Sequence, residues 1–367
     1  MKLLSRLTLL ALVFGGMSFT ANQELQAQDP RYTQYYNAPL RLNPAMTGVF
    51  DGLWRVGGNF RTQWGAVTNQ PYTTYHVMAD MKVNVAKNDY FGVGFAALTD
   101  ISGGGRYNIT DIGLSASYQK KLFGGRRRYS KNSMNSYLSA GAQLGFGQRS
   151  VKWDNLYYST QYIPGTANYD PTAYSGETLD RQATKLYADL SAGAMWFATF
   201  GQRNSIYAGV SLFHVNNPEI GLINSSASNE GIERLPMRIV MHVGGEYLLG
   251  SRGSLSLLPG FVGMFQGPAT EMNFGLGMKY QGFKYDDFAF KFGTWTRLAN
   301  RLEQDVLVDA IMLTVGIDYL NFQFGVSYDI NVSGLSSVSN GQGSLEFSII
   351  YIHSGSRSRE QGCPAFN

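Results

Sequence analysis

Apolar residues alternate with small or polar ones, at a period of two, along most of this chain. A strand turns successive side chains to opposite sides, so the pattern demands sheet with two unlike faces. In residues 321–330, Phe322, Phe324, Val326, Tyr328 and Ile330 face one way, and Asn321, Gln323, Gly325, Ser327 and Asp329 the other. Ile112, Leu114, Ala116 and Tyr118 stand likewise against Asp111, Gly113, Ser115 and Ser117, and Leu138, Ala140, Ala142, Leu144 and Phe146 against Ser139, Gly141, Gln143 and Gly145. A soluble sandwich can show this once; its recurrence, apolar outside and small or polar inside, describes a barrel wall in lipid. Turn signals divide the chain into about fourteen antiparallel strands, at 53–65, 71–83, 89–99, 107–121, 134–149, 182–199, 203–215, 235–249, 252–266, 270–283, 287–298, 306–319, 321–331 and 342–353. The expected class is all-β, a transmembrane outer-membrane β-barrel spanning 53–353 as one domain.

Composition agrees where it discriminates. With 43 Gly, 23 Tyr and 22 Phe among 367 residues, the chain suits strands with small lumen-facing residues and aromatic girdles. Beyond residue 27 no run approaches the roughly 18 to 20 apolar residues of a spanning helix. Residues 1–27 read as a secretory signal peptide: Lys2 and Arg6, an apolar core from Leu7 to Phe14, then small and polar residues. Cleavage is expected after Ala27, leaving Gln28 first. The address is the outer membrane of a Gram-negative bacterium, with both termini periplasmic.

Between signal and barrel lies a segment, 28–52, that no strand can occupy. Pro30, Pro39 and Pro44 each remove a backbone donor and restrain the residue before them. Yet Tyr32, Tyr35, Tyr36, Leu40, Leu42 and Met46 carry too much apolar surface to leave in water. The candidate contact residues are Tyr32, Gln34, Tyr35, Tyr36, Asn37, Pro39, Asn43 and Pro44. They serve either a plug in the lumen or a strip docked at the periplasmic face. The parity of the strands turns Arg55, Asn59, Arg61, Gln63, Asp80, Lys82, Asp189, Arg238, Glu246, Lys291, Asp329 and Glu346 inward, because a Lys or Arg facing lipid at midplane costs about 2–4 kcal/mol. Arg55, Arg61, Asp80, Glu246, Lys291, Asp329 and Glu346 are the candidate lumen lining.

Loop lengths orient the barrel. The long connections 150–181 and 216–234 follow the fifth and seventh strands, which places them outside the cell, and most short turns follow even strands. The stretch 123–133, with Arg126, Arg127 and Arg128, is a longer periplasmic connection.

Nothing marks an active site. His76, His214, His242 and His353 lack metal-ligand spacing, Gly103 to Gly105 lacks the Lys-Ser/Thr of a phosphate loop, and no nucleophile elbow occurs. The chain is read as no enzyme and as needing no cofactor or metal. The net charge of +4 is dispersed, so nucleic acid is not implied. Cys363, the single cysteine, lies in the tail 354–367 and can form no internal disulfide.

Five stretches carry a resemblance: QDPRYTQYYNAPLRLNPAMTG from Gln28, NFRTQW from Asn59, YAGVSLFHVNNP from Tyr207, LLPGFVGMFQGPATEMNFGLGMKY from Leu257, and DAIMLTVGIDY followed by FGVSYDINVSGLSSVSNGQGSLEFSIIYI. In this order they resemble the PorP/SprF family of type IX secretion system membrane proteins. The resemblance implies an outer-membrane barrel of the secretion and gliding machinery, acting as accessory receptor or anchor. Its implied partners are the translocon, periplasmic and lipoprotein components, and a large secreted surface adhesin. Alternation alone supports a diffusion porin or solute channel equally well.

Overall fold

The computed structural model describes residues 29–65, 68, 70–86, 89–124, 134–153, 156, 158–165, 168–170, 172–174, 186–201, 203–222, 233–250, 254–282, 287–300, 306–334 and 336–355. Residues 1–27, expected to be a signal peptide, together with Gln28, Arg126 to Arg128, Cys363 and much of the two longest connections, lie outside the described residues.

The strands are β1 (Trp54–Gln63), β2 (Tyr72–Ala86), β3 (Asp89–Ser102), β4 (Tyr107–Phe123), β5 (Met134–Ser150), β6 (Tyr162–Ile163), β7 (Asn168–Tyr169), β8 (Tyr187–Phe200), β9 (Asn204–Phe213), β10 (Arg238–Leu249), β11 (Leu255–Gln266), β12 (Ala269–Gln281), β13 (Phe288–Asn300), β14 (Val306–Tyr319), β15 (Phe322–Asn331) and β16 (Gln342–His353). β6 and β7 pair only with each other; the remaining strands pair antiparallel with their neighbours, and β1 closes onto β16, giving a barrel of fourteen strands. Closure satisfies every strand edge, which a sheet in hydrocarbon requires. The strands expected from alternation match these within a few residues, apart from the start of β8. The ribbon β6–β7, inside the connection 151–186, was not foreseen, since two residues per strand leave no periodic pattern.

Alternation decides the wall. Leu114, Phe146, Phe324 and Phe347 stand exposed on the outer surface, whereas Ser117, Ser139, Asp329 and Glu346 are buried within. Trp54, Tyr351, His353 and Phe322 form a chain of ring contacts where β1, β15 and β16 meet, with centroids 4.9–5.2 Å apart. Aromatic belts of this kind mark a membrane interface.

The two mouths differ. One, called the loop end, carries the connections 64–71, 103–106, 151–186, 214–237, 267–268, 301–305 and 332–341; the other, the turn end, carries 87–88, 124–133, 201–203, 250–254, 282–287 and 320–321. At the turn end Leu320 adopts a left-handed φ of 55°, tightening the reversal between β14 and β15. The described part of the chain does not begin and end at one mouth. Its last residues lie by Leu53 at the turn end, but Asp29 lies at the loop end, beside Gln266 at the close of β11. The two ends of the described chain are therefore on opposite sides, because the residues ahead of β1 run the length of the barrel instead of leaving by the nearer mouth.

Candidate functional site

Residues 29–50 follow a path that their prolines dictate. A 3₁₀ turn at Tyr35–Asn37 leads into one turn of α-helix at Pro39–Leu42, and a second 3₁₀ turn follows at Pro44–Met46. Pro39 and Pro44 each open a helical turn, where the missing N–H costs nothing. Asn43 caps the second 3₁₀ turn by accepting from the Ala45 N–H at 2.8 Å. Leu40, Ala45, Met46 and Val49 are completely shielded, and Tyr32, Tyr35 and Leu42 nearly so.

Without a ladder, the segment's carbonyls need other donors, and inward-facing strand side chains supply them. The Arg61 guanidinium donates to the Arg31 carbonyl (2.6 Å), Ser211 to Leu42 (2.7 Å), Ser139 to Ala45 (2.6 Å) and Ser117 to Thr47 (2.6 Å), while Lys82 reaches the Phe50 carbonyl. These bonds account for backbone groups that could not stay unpaired when buried. The fit leaves no room for some side chains. A Cβ at Gly141 would lie 2.5 Å from the Pro44 carbonyl oxygen, and one at Gly325 would overlap the Gln34 side chain. Glycine at these positions permits a close approach of chain to wall.

The candidate residues fall into two groups. Those on the segment come together with the wall. Tyr32 lies 5.7 Å from the His76 ring, and Tyr35 and Tyr36 pack on Trp295 at 5.8 and 6.1 Å. The Thr33 and Gln34 amides donate to the two carboxylate oxygens of Glu346 (2.7 and 3.3 Å), and the Thr33 hydroxyl donates to Asp329 (2.7 Å). Asn37 donates to the Ser348 hydroxyl, which donates in turn to Gln34, both at 2.8 Å. Asn43 Nδ2 reaches the Ala194 and Val210 carbonyls at 3.2 Å and His242 Nε2 at 3.1 Å.

On the wall, Arg55 grips Asp80 with two bonds of 2.9 and 2.7 Å, and Asp80 also accepts from the Gly48 N–H at 2.8 Å. Arg61 lies 3.4 Å from Asp329. Glu246 and Lys291 behave otherwise: they pair with Lys279 (3.6 Å) and Asp318 (2.7 Å), strand to strand, and give the segment no bond among those described.

Several contributors escaped the sequence reading. Arg297 joins Asp329 (2.9 Å) and Glu271 (3.6 Å), and Glu271 pairs with Arg31 (2.9 Å). Strand parity could have flagged Arg297, Glu271 and Trp295 as inward; no local signal marks their partners on the segment. At the loop end, Asp29 sits between Arg238 (3.0 Å) and His214 Nε2 (2.7 Å), whose Nδ1 meets Asp189 at 2.9 Å. Burial would raise the Asp29 carboxyl, but His214 and Arg238 outweigh it and hold it well below the usual range. Burial would lower the His214 imidazole, but Asp29 and Asp189 carry it up to about 9, so it is cationic at neutral pH.

Comparison with known proteins places this architecture. A family model described as type IX secretion system membrane protein PorP/SprF matches residues 24–351. No curated protein matches the chain. Among solved structures, CdiB from Acinetobacter baumannii is similar at a TM-score of 0.42 and 6% identity, covering 81% of this chain and 60% of that one. The present chain thus spans about 60% of the length of CdiB. A bacterial polysaccharide outer membrane secretin is similar at 0.38 and 11% identity, covering 83% and 99%. Neither likeness bears on function at such scores. The family match runs through the lumen segment and nearly all of the barrel, and on it the chain belongs to the PorP/SprF family of type IX secretion system membrane proteins.

Proposed function

We propose that this outer-membrane component of the type IX system is a closed barrel that acts as an accessory receptor or anchor for secretion and surface display of a partner adhesin. It works with the translocon and with periplasmic and lipoprotein components, and is not itself the conduit. The observation that supports this is the path of residues 29–50, which lines the lumen from mouth to mouth with buried aromatic and aliphatic side chains. A diffusion pore needs a continuous water path, and a segment held in the lumen in this way, acting as a plug, would deny it. The role is one of holding, with no catalytic step assigned to any side chain.

Deleting the gene tests both halves. The expected result is loss of one surface protein, or a small set, with no rise in permeability to small solutes. In planar bilayers the parent should be silent, whereas replacing Tyr32, Tyr35 and Tyr36 with Ala should produce conductance. A conducting parent, or a deletion that leaves the surface proteins in place, would overturn the reading.

A further inference from the structure

The lumen segment begins at the end of the barrel opposite to the one where it joins β1. The Asp29 amide donates to Gln266, the last residue of β11 (3.0 Å), and the Asp29 carboxylate is held by Arg238, the first residue of β10, and by His214, just beyond β9. All three positions belong to the loop end. At the other limit, the Phe50 ring lies 4.7 Å under the Arg55 guanidinium and the Phe50 carbonyl takes Lys82, both at the turn end. One continuous stretch of chain therefore connects the two mouths.

The leading residues after Asp29 are also only partly covered. Pro30 and Arg31 are half-buried, in contrast to the shielded run from Tyr32 to Tyr35. Pro30, Arg31, Met264, Gln266, Ala269 and Glu271 line a depression around Asp29 at this mouth. Arg31 keeps 31% of its side chain accessible while its partner Glu271 keeps 2%, so this pair marks the border between lumen and solvent.

We propose that Asp29 to Arg31 is presented at the outer face of the cell, fastened there by the Asp29 contacts with Arg238 and His214, which makes the segment one polypeptide strut reachable from both sides of the membrane. The inference takes the loop end as the outer face from the length of its connections. It is independent of the proposed receptor role and says nothing of which protein is displayed, so the two can fail separately.

The test labels intact cells with a membrane-impermeant maleimide, each variant carrying Cys363→Ser and being checked for heat-modifiable migration. Tyr174→Cys reports the loop end and Ser354→Cys the turn end. Pro30→Cys is expected to react in intact cells, as Tyr174→Cys does, while Ser354→Cys reacts only after lysis. Adding Asp29→Asn should raise the Pro30→Cys rate several-fold, because the neutral amide no longer balances Arg238 and protonated His214. Three outcomes overturn the proposal: Pro30→Cys reacting only after lysis, Pro30→Cys failing to react at all, or Ser354→Cys reacting in intact cells where Tyr174→Cys does not. Should Pro30→Cys fail to assemble, Arg31→Cys carries the same readout.

Discussion

Two charge systems share one lumen and differ in what they bind. On one, Asp329, Glu346, Arg61, Arg297 and Asp80 spend part of their bonding capacity on the segment: the Thr33 hydroxyl at Asp329 and Arg297, two amides at Glu346, a carbonyl at Arg61 and an amide at Asp80. On the other, Glu246 pairs with Lys279 across the intervening β11, and Lys291 pairs with Asp318 on the adjacent strand. The groups are alike in type and in inward parity. The difference teaches that inward charge is a condition of a barrel wall, whereas recognition of the segment depends on which charges stand where its backbone passes: Glu246 Oε1 is buried without a hydrogen-bond partner among the described residues, yet it takes no bond from the segment. Depth separates only one of the two pairs: Lys291 and Asp318 keep 14% and 20% of their side chains accessible, whereas Glu246 keeps 4%, close to Asp329 at 1%.

The comparison breaks or sharpens under substitution. Asp329→Ala should have the largest effect, because it takes the carboxylate from Arg61, removes the nearest carboxylate of Arg297, which keeps Glu271, and removes the acceptor of Thr33. Losing one partner of a buried ion pair costs about 3–5 kcal/mol. The expected result is a clear drop in the temperature at which the folded band converts on a detergent gel, together with conductance in planar bilayers. An unchanged conversion temperature would show that the segment does not depend on this system. Asn43→Ala comes next. It removes the cap of a 3₁₀ turn and takes a side-chain donor from the Ala194 and Val210 carbonyls and from His242, a loss of about 1–3 kcal/mol. Protease access to the segment should rise while the barrel stays folded. Lys291→Met is the smallest, about 0–1 kcal/mol, as expected of an ion pair partly open to water. It should leave both protease access and conductance as in the parent. If it released the segment as Asp329→Ala does, the division into two systems would be wrong.

The wall was legible because its rule is local. Phe324 must face opposite to Ser327 whatever lies around them, since the pleat fixes side-chain direction at a period of two, and a barrel in lipid then fixes which set goes outward. From that followed the strands, their number, and the inward placement of Arg55, Arg61, Asp80, Glu246, Lys291, Asp329 and Glu346. The segment could be read only in part. Pro30, Pro39 and Pro44 excluded a strand, and Tyr32, Tyr35 and Tyr36 required burial, but neither fact carries a direction.

What the sequence by itself determined is therefore the wall and the need of residues 29–50 for a surface to cover them. Only the tertiary structure decided where they go: Thr33 to Glu346, a separation of 313 residues, Asn43 to His242, and Asp29 to His214 at the far mouth. The physical reason is the absence of a repeat. A ladder hydrogen bond is implied by the residues before and after it, whereas each side-chain-to-backbone bond in the lumen is a single match between two distant positions, fixed only once the barrel has closed around the chain.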